Sequence, residues 1–206
     1  MPSSTKRVYF GDYIFSVWEN VYEPAEDSFL FAENLDVKEG ERVLDMGTGC
    51  GILGIIAAKK ASEVVAVDIN PHAVRCAKEN AQRKNVRSKM VFVQSDLFTP
   101  LSEKAKFDVI LFNAPYLPAD ESEADCWSGR AWAGGATGRQ VIDRFISEVP
   151  KHLKQGGMIF LMQSTLANID ETVCKFSVHG LNANIVAECA APFFETITLL
   201  KAKRSI

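Results

Sequence analysis

The chain has 206 residues, enough for one sizeable hydrophobic core and a single domain. Its composition, 47% hydrophobic and 24% charged, is ordinary for a soluble globular protein. A net charge of −3 excludes any global electrostatic pull toward nucleic acid, and no apolar run approaches membrane-spanning length.

Arg7 to Trp18 read as a short strand or hairpin turning at Gly11-Asp12. Ala25 to Leu35 make a helix, with Pro24 suited to its first turn and Glu26 and Asp27 to the positive end of its dipole. A regular alternation follows. Arg42 to Met46 is a strand and Gly51 to Lys60 a helix; Val64 to Asp68 is a strand and Pro71 to Arg83 a helix. Lys89 to Gln94 and Phe107 to Phe112 are strands. After a long loop, Gly138 to Leu153 form a helix with Val141, Ile142, Phe145, Ile146 and Val149 at helical spacing. Gly156-Gly157 turn into a strand over Met158 to Met162, and a helix covers Ile169 to Val178. Two strands, near Ala183 to Glu188 and Glu195 to Lys201, close the chain.

This alternation predicts an α/β fold, a mostly parallel sheet with helices on both faces and an antiparallel addition at one edge. One domain spans 1–206, with a hairpin and helix over 1–40 and the core over 41–206. In such sheets ligands bind beyond the carboxyl ends of the strands. Asp45, Asp68, Asp96 and Asn113 each stand at or just after a strand end, so they fall along one rim. The five cysteines are scattered without a CxxC pair, which suggests neither disulfides nor a zinc site and fits a reducing compartment. His72, His152 and His179 are expected at the surface. The first twenty residues hold no signal-peptide block, and a cytosolic protein is expected.

VLDMGTGCGILG, Val43 to Gly54, is a strand, a glycine-rich turn and a helix start. Gly49-x-Gly51-x-x-Gly54 is formally a dinucleotide fingerprint, and Asp68 lies near the right distance for a ribose-binding acid. Charge separates the cofactor readings. Asp45, two residues before Gly47, would repel a pyrophosphate but help a cationic ligand. S-adenosylmethionine fits, with its ammonium and sulfonium. Asp68 then accepts from both ribose hydroxyls and Asp96 from the adenine amine, with Leu97 as apolar cover.

Asn113-Ala114-Pro115-Tyr116 ends the fourth core strand, beside the place of a reactive methyl. An amide or aromatic amine nitrogen is a poor nucleophile, because its lone pair is delocalised. Acceptors on its two hydrogens expose that lone pair. The Asn113 side-chain carbonyl and the Ala114 main-chain carbonyl can supply them, while Pro115 fixes the backbone and Tyr116 offers a flat face.

D-x-G-T-G-C-G followed by N-A-P-Y resembles the class I methyltransferases that act on amide or exocyclic amine nitrogens. VYEPAEDSFL (Val21 to Leu30) and WAGGATGRQVIDRF (Trp132 to Phe145) further resemble the HemK-like enzymes of archaea and eukaryotes, which methylate the Gly-Gly-Gln glutamine of class 1 peptide-release factors. The resemblance implies a Rossmann-like seven-stranded domain. It implies cofactor contacts from Ser28, Asp45, Gly47, Gly49, Asp68, Asp96, Leu97 and Asn113, and substrate contacts from Asn113 through Leu117. It also implies a small zinc-containing activator subunit. Ala114 stands where the family usually has proline, and Ser28 where threonine is expected. The segment Ala133 to Gly138, with Trp127 or Trp132, is expected to wall the substrate pocket. Adenine methylation on DNA or RNA, a small-molecule methyltransferase and a non-catalytic cofactor-binding scaffold are the competing readings.

Overall fold

The computed structural model describes residues 5–192 and 194–204; the outermost residues of the expected 1–206 domain lie outside the described residues. β1 (Thr5–Phe10) and β2 (Tyr13–Trp18) form the expected antiparallel hairpin. It rests on α3 (Pro71–Arg83) through a buried amide. Ser16 N–H donates to Asn80 Oδ1 at 2.9 Å, and Asn80 Nδ2 donates to the carbonyls of Ser16 and Cys50, both at 2.8 Å. One side chain thus ties the hairpin to the glycine turn.

The remaining strands are β3 (Arg42–Met46), β4 (Glu63–Asp68), β5 (Met90–Gln94), β6 (Phe107–Asn113), β7 (Leu153–Ser164), β8 (Leu181–Ala190) and β9 (Thr196–Arg204). They form one seven-stranded sheet in the order β5-β4-β3-β6-β7-β9-β8. The first five are mutually parallel, and β9 runs antiparallel to both β7 and β8. The antiparallel addition is therefore one place in from the edge, because β8 pairs with β9 and not directly with β7. The order reverses between β3 and β6, which opens the crevice above their carboxyl ends. Val109, Ile110 and Leu111 of β6 are fully buried, as a central strand covered on both faces requires.

The helices are α1 (Glu26–Glu33), α2 (Ile52–Ala57), α3, α4 (Trp127–Arg130), α5 (Gln140–Glu148) and α6 (Ile169–Val178). Several are shorter than expected, for local reasons. Pro24 stands before the Ala25 cap and not within the first turn of α1. Gly138 (φ +71°) holds the chain in a turn ahead of α5, and Pro150 falls in the tighter helical turn Val149–Lys151 that ends it. β7 is longer than expected: it starts at Leu153 and shifts register around Gly156 (φ +73°) before pairing evenly with β6. His152 corrects the surface assignment of the histidines. It is buried, with its ring 4.7 Å from Phe98 and its Nδ1 3.1 Å from the Ala105 carbonyl oxygen. Among the described residues, no helix is long and apolar enough to cross a membrane.

Candidate active site

A cavity of about 760 Å³ opens above the carboxyl ends of β3, β4 and β6. It has two halves, one framed by the glycine turn and one by the segment after β6.

In the first half, the turn after β3 is drawn down by two carboxylates. Asp45 Oδ2 accepts from Thr48 Oγ1 at 2.6 Å and from Gly54 N–H at 3.0 Å. A Cβ on Gly54 would lie 2.6 Å from that oxygen, so only glycine admits the contact. Asp45 is buried beneath the turn and does not line the cavity. This corrects the expected direct contact with a ligand: the carboxylate faces the underside of the turn and holds Thr48 and Gly54. Its other oxygen, Oδ1, is buried without a partner. Burial pushes this carboxyl up to about 7, against the pull of Thr48 and Gly54.

Asp68 does line the cavity, together with Gly47 and Gly49. Its Oδ2 accepts from Gly49 N–H and its Oδ1 from Asn70 N–H, each at 2.9 Å. Each carboxylate oxygen keeps a further lone pair, so two hydroxyls can still be received. Desolvation nevertheless holds its pKa above the usual carboxylate range. Asp96 and Leu97 lie on the same surface. Asp96 Oδ2 accepts from Arg144 at 2.8 Å, a half-exposed pair that orients the carboxylate more than it stabilises the fold. Leu97 is buried at φ +49°, a backbone state bulky residues avoid, and such strain gathers at binding sites.

The second half is organised by a residue the sequence reading treated only as a helix-dipole acid. Asp27 is buried and receives donors from four side chains. Tyr22 Oη lies 3.2 Å from both its oxygens, Tyr116 Oη 3.4 Å from Oδ2, Ser28 Oγ 3.1 Å from Oδ1, and Asn113 Nδ2 2.8 Å from Oδ2. Asn113 Nδ2 also donates to Ser28 Oγ at 3.3 Å. A carboxylate accepts only, so this network assigns the amide's orientation. Asn113 Oδ1 is left buried with no protein partner, in a side chain that lines the cavity. Burial first, then the Asp27 charge, raises the pKa of Tyr22 and Tyr116, which keeps both phenols protonated as donors.

Ala114, Pro115, Tyr116 and Leu117 continue along the wall. Trp132 to Gly135 run beside them: Leu117 N–H donates to the Trp132 carbonyl at 3.0 Å and Gly134 N–H to the Leu117 carbonyl at 2.8 Å. A Cβ on Gly138 would meet the Tyr116 carbonyl oxygen at 2.2 Å, so this glycine sets how closely the two segments pack. Arg139, also missed, anchors the segment from below. Its buried guanidinium bonds the Asn168 carbonyl (2.8 Å), Thr172 Oγ1 (3.0 Å) and Asp143 (2.7 Å). Trp127 and Trp132 both face the cavity.

Residues 22–128 match the family model described as the methyltransferase small domain, slightly more than half of the chain. A protein of Methanocaldococcus jannaschii, provisionally named a protein N5-glutamine methyltransferase, is 46% identical over 87% of this chain and 90% of its own. The chain is a HemK-like class I methyltransferase. It is also 31% identical to human methyltransferase HEMK2, over 91% of this chain and 92% of that one. Among solved structures, the E. cuniculi Mtq2–Trm112 complex, described as responsible for methylation of the eRF1 translation termination factor, superposes with a TM-score of 0.70 at 26% identity. It covers 90% of this chain and 99% of that one.

The family's methyl donor is S-adenosylmethionine, and this cavity suits it. Asp68 offers a bidentate acceptor for a ribose, and a cationic group above the turn would favour the charged form of Asp45 where a pyrophosphate would oppose it.

Proposed function

We propose that this enzyme transfers a methyl group to the side-chain amide nitrogen of a glutamine in a protein, the Gly-Gly-Gln glutamine of a class 1 peptide-release factor. The single observation that carries the reading is Asn113 Oδ1, left buried and unpartnered in a side chain of the cavity wall because Asp27 and Ser28 hold the other end of the amide. Such an acceptor suits a substrate that brings an N–H. The names of the M. jannaschii relative and of the Mtq2–Trm112 complex support the choice of a glutamine in a termination factor.

S-adenosylmethionine, when bound, supplies an electrophilic methyl on a positive sulfur. The protein's task is to present a nitrogen lone pair to it. Asn113 Oδ1 accepts one amide hydrogen and the Ala114 main-chain carbonyl accepts the other, which draws the nitrogen toward tetrahedral geometry. Tyr116 lays its ring against the amide plane while its hydroxyl stays fixed on Asp27. Asn113 and Ala114 would hold the nitrogen in line with that methyl, so that one N–C bond would replace one S–C bond, the donor would depart as a neutral thioether and the alkylated nitrogen would lose its proton to water. Positioning and fixed dipoles carry the rate. Asp68, Asp96, Leu97, Gly47, Gly49 and Ser28 hold the donor, and Asp45 acts through the turn.

We further infer a small zinc-containing activator subunit; the Trm112 chain in the Mtq2 complex supports the partner chain, and the zinc rests on the family resemblance alone. A cytoplasmic site of action fits a substrate of the translation machinery and the five free cysteines found among the described residues.

The test is label transfer from S-adenosylmethionine, with and without such a subunit. The acceptors are a release-factor fragment bearing Gly-Gly-Gln, its Gln→Ala variant and an adenine-containing oligonucleotide. Label only in the glutamine-bearing fragment is expected. Label in the oligonucleotide would keep the clamp and overturn the substrate.

A further inference from the structure

The tip of the β8–β9 hairpin concentrates two costs on one residue. Phe194 is fully exposed, and its φ of +62° lies in the left-handed region. An apolar ring left in water forgoes the gain of burial, and such a backbone state adds strain. Hydrogen bonds tie the described residues on either side of the tip. Ala191 N–H donates to the Glu195 carbonyl at 2.8 Å, and Thr196 N–H donates to Thr165 Oγ1 at 3.1 Å. A residue held out in this way has a use away from the core.

Its place in the fold says which use. β8 runs in the same direction as β6 and β7, so the turn after it rises from the rim that carries Asn113. Asn113 is level with Met162 of β7, and Met162 with Leu199 of β9. From that level the chain runs back through Thr196 to Phe194, which places the ring about 10–15 Å beyond Asn113 and about 10 Å to its side. The hairpin also sits by the clamp electrostatically. Burial is the main cause that raises the Tyr116 phenol and the Cys189 thiol, and the Glu195 charge adds to the first while Asp27 and Glu26 add to the second.

We propose that Phe194 is a docking residue for the folded protein substrate, seating its ring in an apolar hollow flanked by basic residues while the glutamine enters the cavity. The proposal rests on the protein-glutamine reading and deepens it. A ligand confined to the cavity cannot reach the tip, whereas a polypeptide of which one residue is in the cavity can. Glu26, which is exposed, and Glu195, which is partly exposed, make the surroundings acidic, which disfavours nucleic-acid phosphates and favours a basic rim on the partner.

The experiment compares wild type, Phe194→Ala and Phe194→Leu on a folded release-factor domain and on a short Gly-Gly-Gln peptide, each enzyme with its activator subunit present. Phe194→Ala is expected to raise KM for the folded domain about tenfold with kcat unchanged, and to leave the short peptide untouched. Leucine should restore part of the loss, and melting temperature and cofactor affinity should not move. An unchanged KM, an equal loss on both acceptors, or weakened capture of the activator in place of the substrate would each overturn the proposal. Failure of the wild type on every glutamine acceptor would instead sink the glutamine reading, and this proposal with it.

Discussion

Asn113 Nδ2 donates to Asp27 Oδ2 at 2.8 Å, joining the end of β6 to the first turn of α1 across 86 positions of sequence. The bond fixes an amide that could face either way, with its donors spent on Asp27 and Ser28 and its acceptor left without a protein partner at the cavity wall. Tyr116 is fastened to the same carboxylate, so one side chain of α1 aligns two members of the clamp.

Replacing that carboxylate by an amide should therefore damage chemistry more than binding. Asp27→Asn puts donors where Tyr22, Tyr116 and Asn113 already donate, and frees Asn113 to rotate. The expected effect is a fall in kcat of about a hundredfold, the scale for losing one preorganised polar group at a reacting centre. Steady-state kinetics beside calorimetric cofactor binding checks it; a normal kcat would remove Asp27 from the mechanism.

Asp68→Ala should weaken S-adenosylmethionine by roughly 1–3 kcal/mol, the worth of hydrogen bonds to a charged group. The loss also frees the Gly49 and Asn70 N–H groups that Asp68 now holds, loosening the turn. Calorimetry reads the change directly, and an unaltered affinity would take Asp68 out of the site.

Asp45 should leave a mark on stability against pH. Burial raises its carboxyl in the folded protein to about 7, well above the usual carboxylate range. The folded state therefore binds the proton more tightly than the unfolded chain does. The stability this contributes is complete below about pH 4 and is lost as pH rises through about 7. Denaturant unfolding of wild type and Asp45→Asn at about pH 5 and about pH 8 should show wild type losing ground to the variant at the higher pH. Parallel curves would mean that the Asp45 carboxyl is not perturbed.

Ala114→Pro restores the residue usual in the family. Turnover should stay intact or rise modestly, since the main-chain carbonyl is retained and the backbone stiffens. The cost is the Ala114 N–H bond to the Met162 carbonyl, long at 3.4 Å, so the melting temperature should drop slightly. A collapse of turnover with the fold intact would show a different clamp geometry here.

The motifs that announce themselves in the sequence are those built from neighbours in the chain. Gly47 to Gly54 and Asn113 to Tyr116 each write their geometry into a few consecutive residues, so their placement on the rim was legible. Asp27 was not, because a carboxylate in a first helical turn already has a local explanation; its partners at 113 and 116 become visible only when α1 lies across β6. Asp45 was legible as an acid near the turn, but its position behind the wall follows from how closely Gly54 lets the helix approach. β9 entering between β7 and β8 is a pairing choice between strands that look alike in sequence. His152 is buried by Phe98 and Ala105, which lie far from it in the chain.

The most direct test of the account is Asn113→Ala, measured for cofactor binding by calorimetry and for methyl transfer in a single turnover. If the Asn113 carbonyl is the acceptor that readies the substrate nitrogen, the variant binds S-adenosylmethionine within about tenfold of wild type while transfer falls by about a hundredfold or more. Transfer at the wild-type rate with cofactor bound would contradict the clamp, and with it the chemistry assigned to this site.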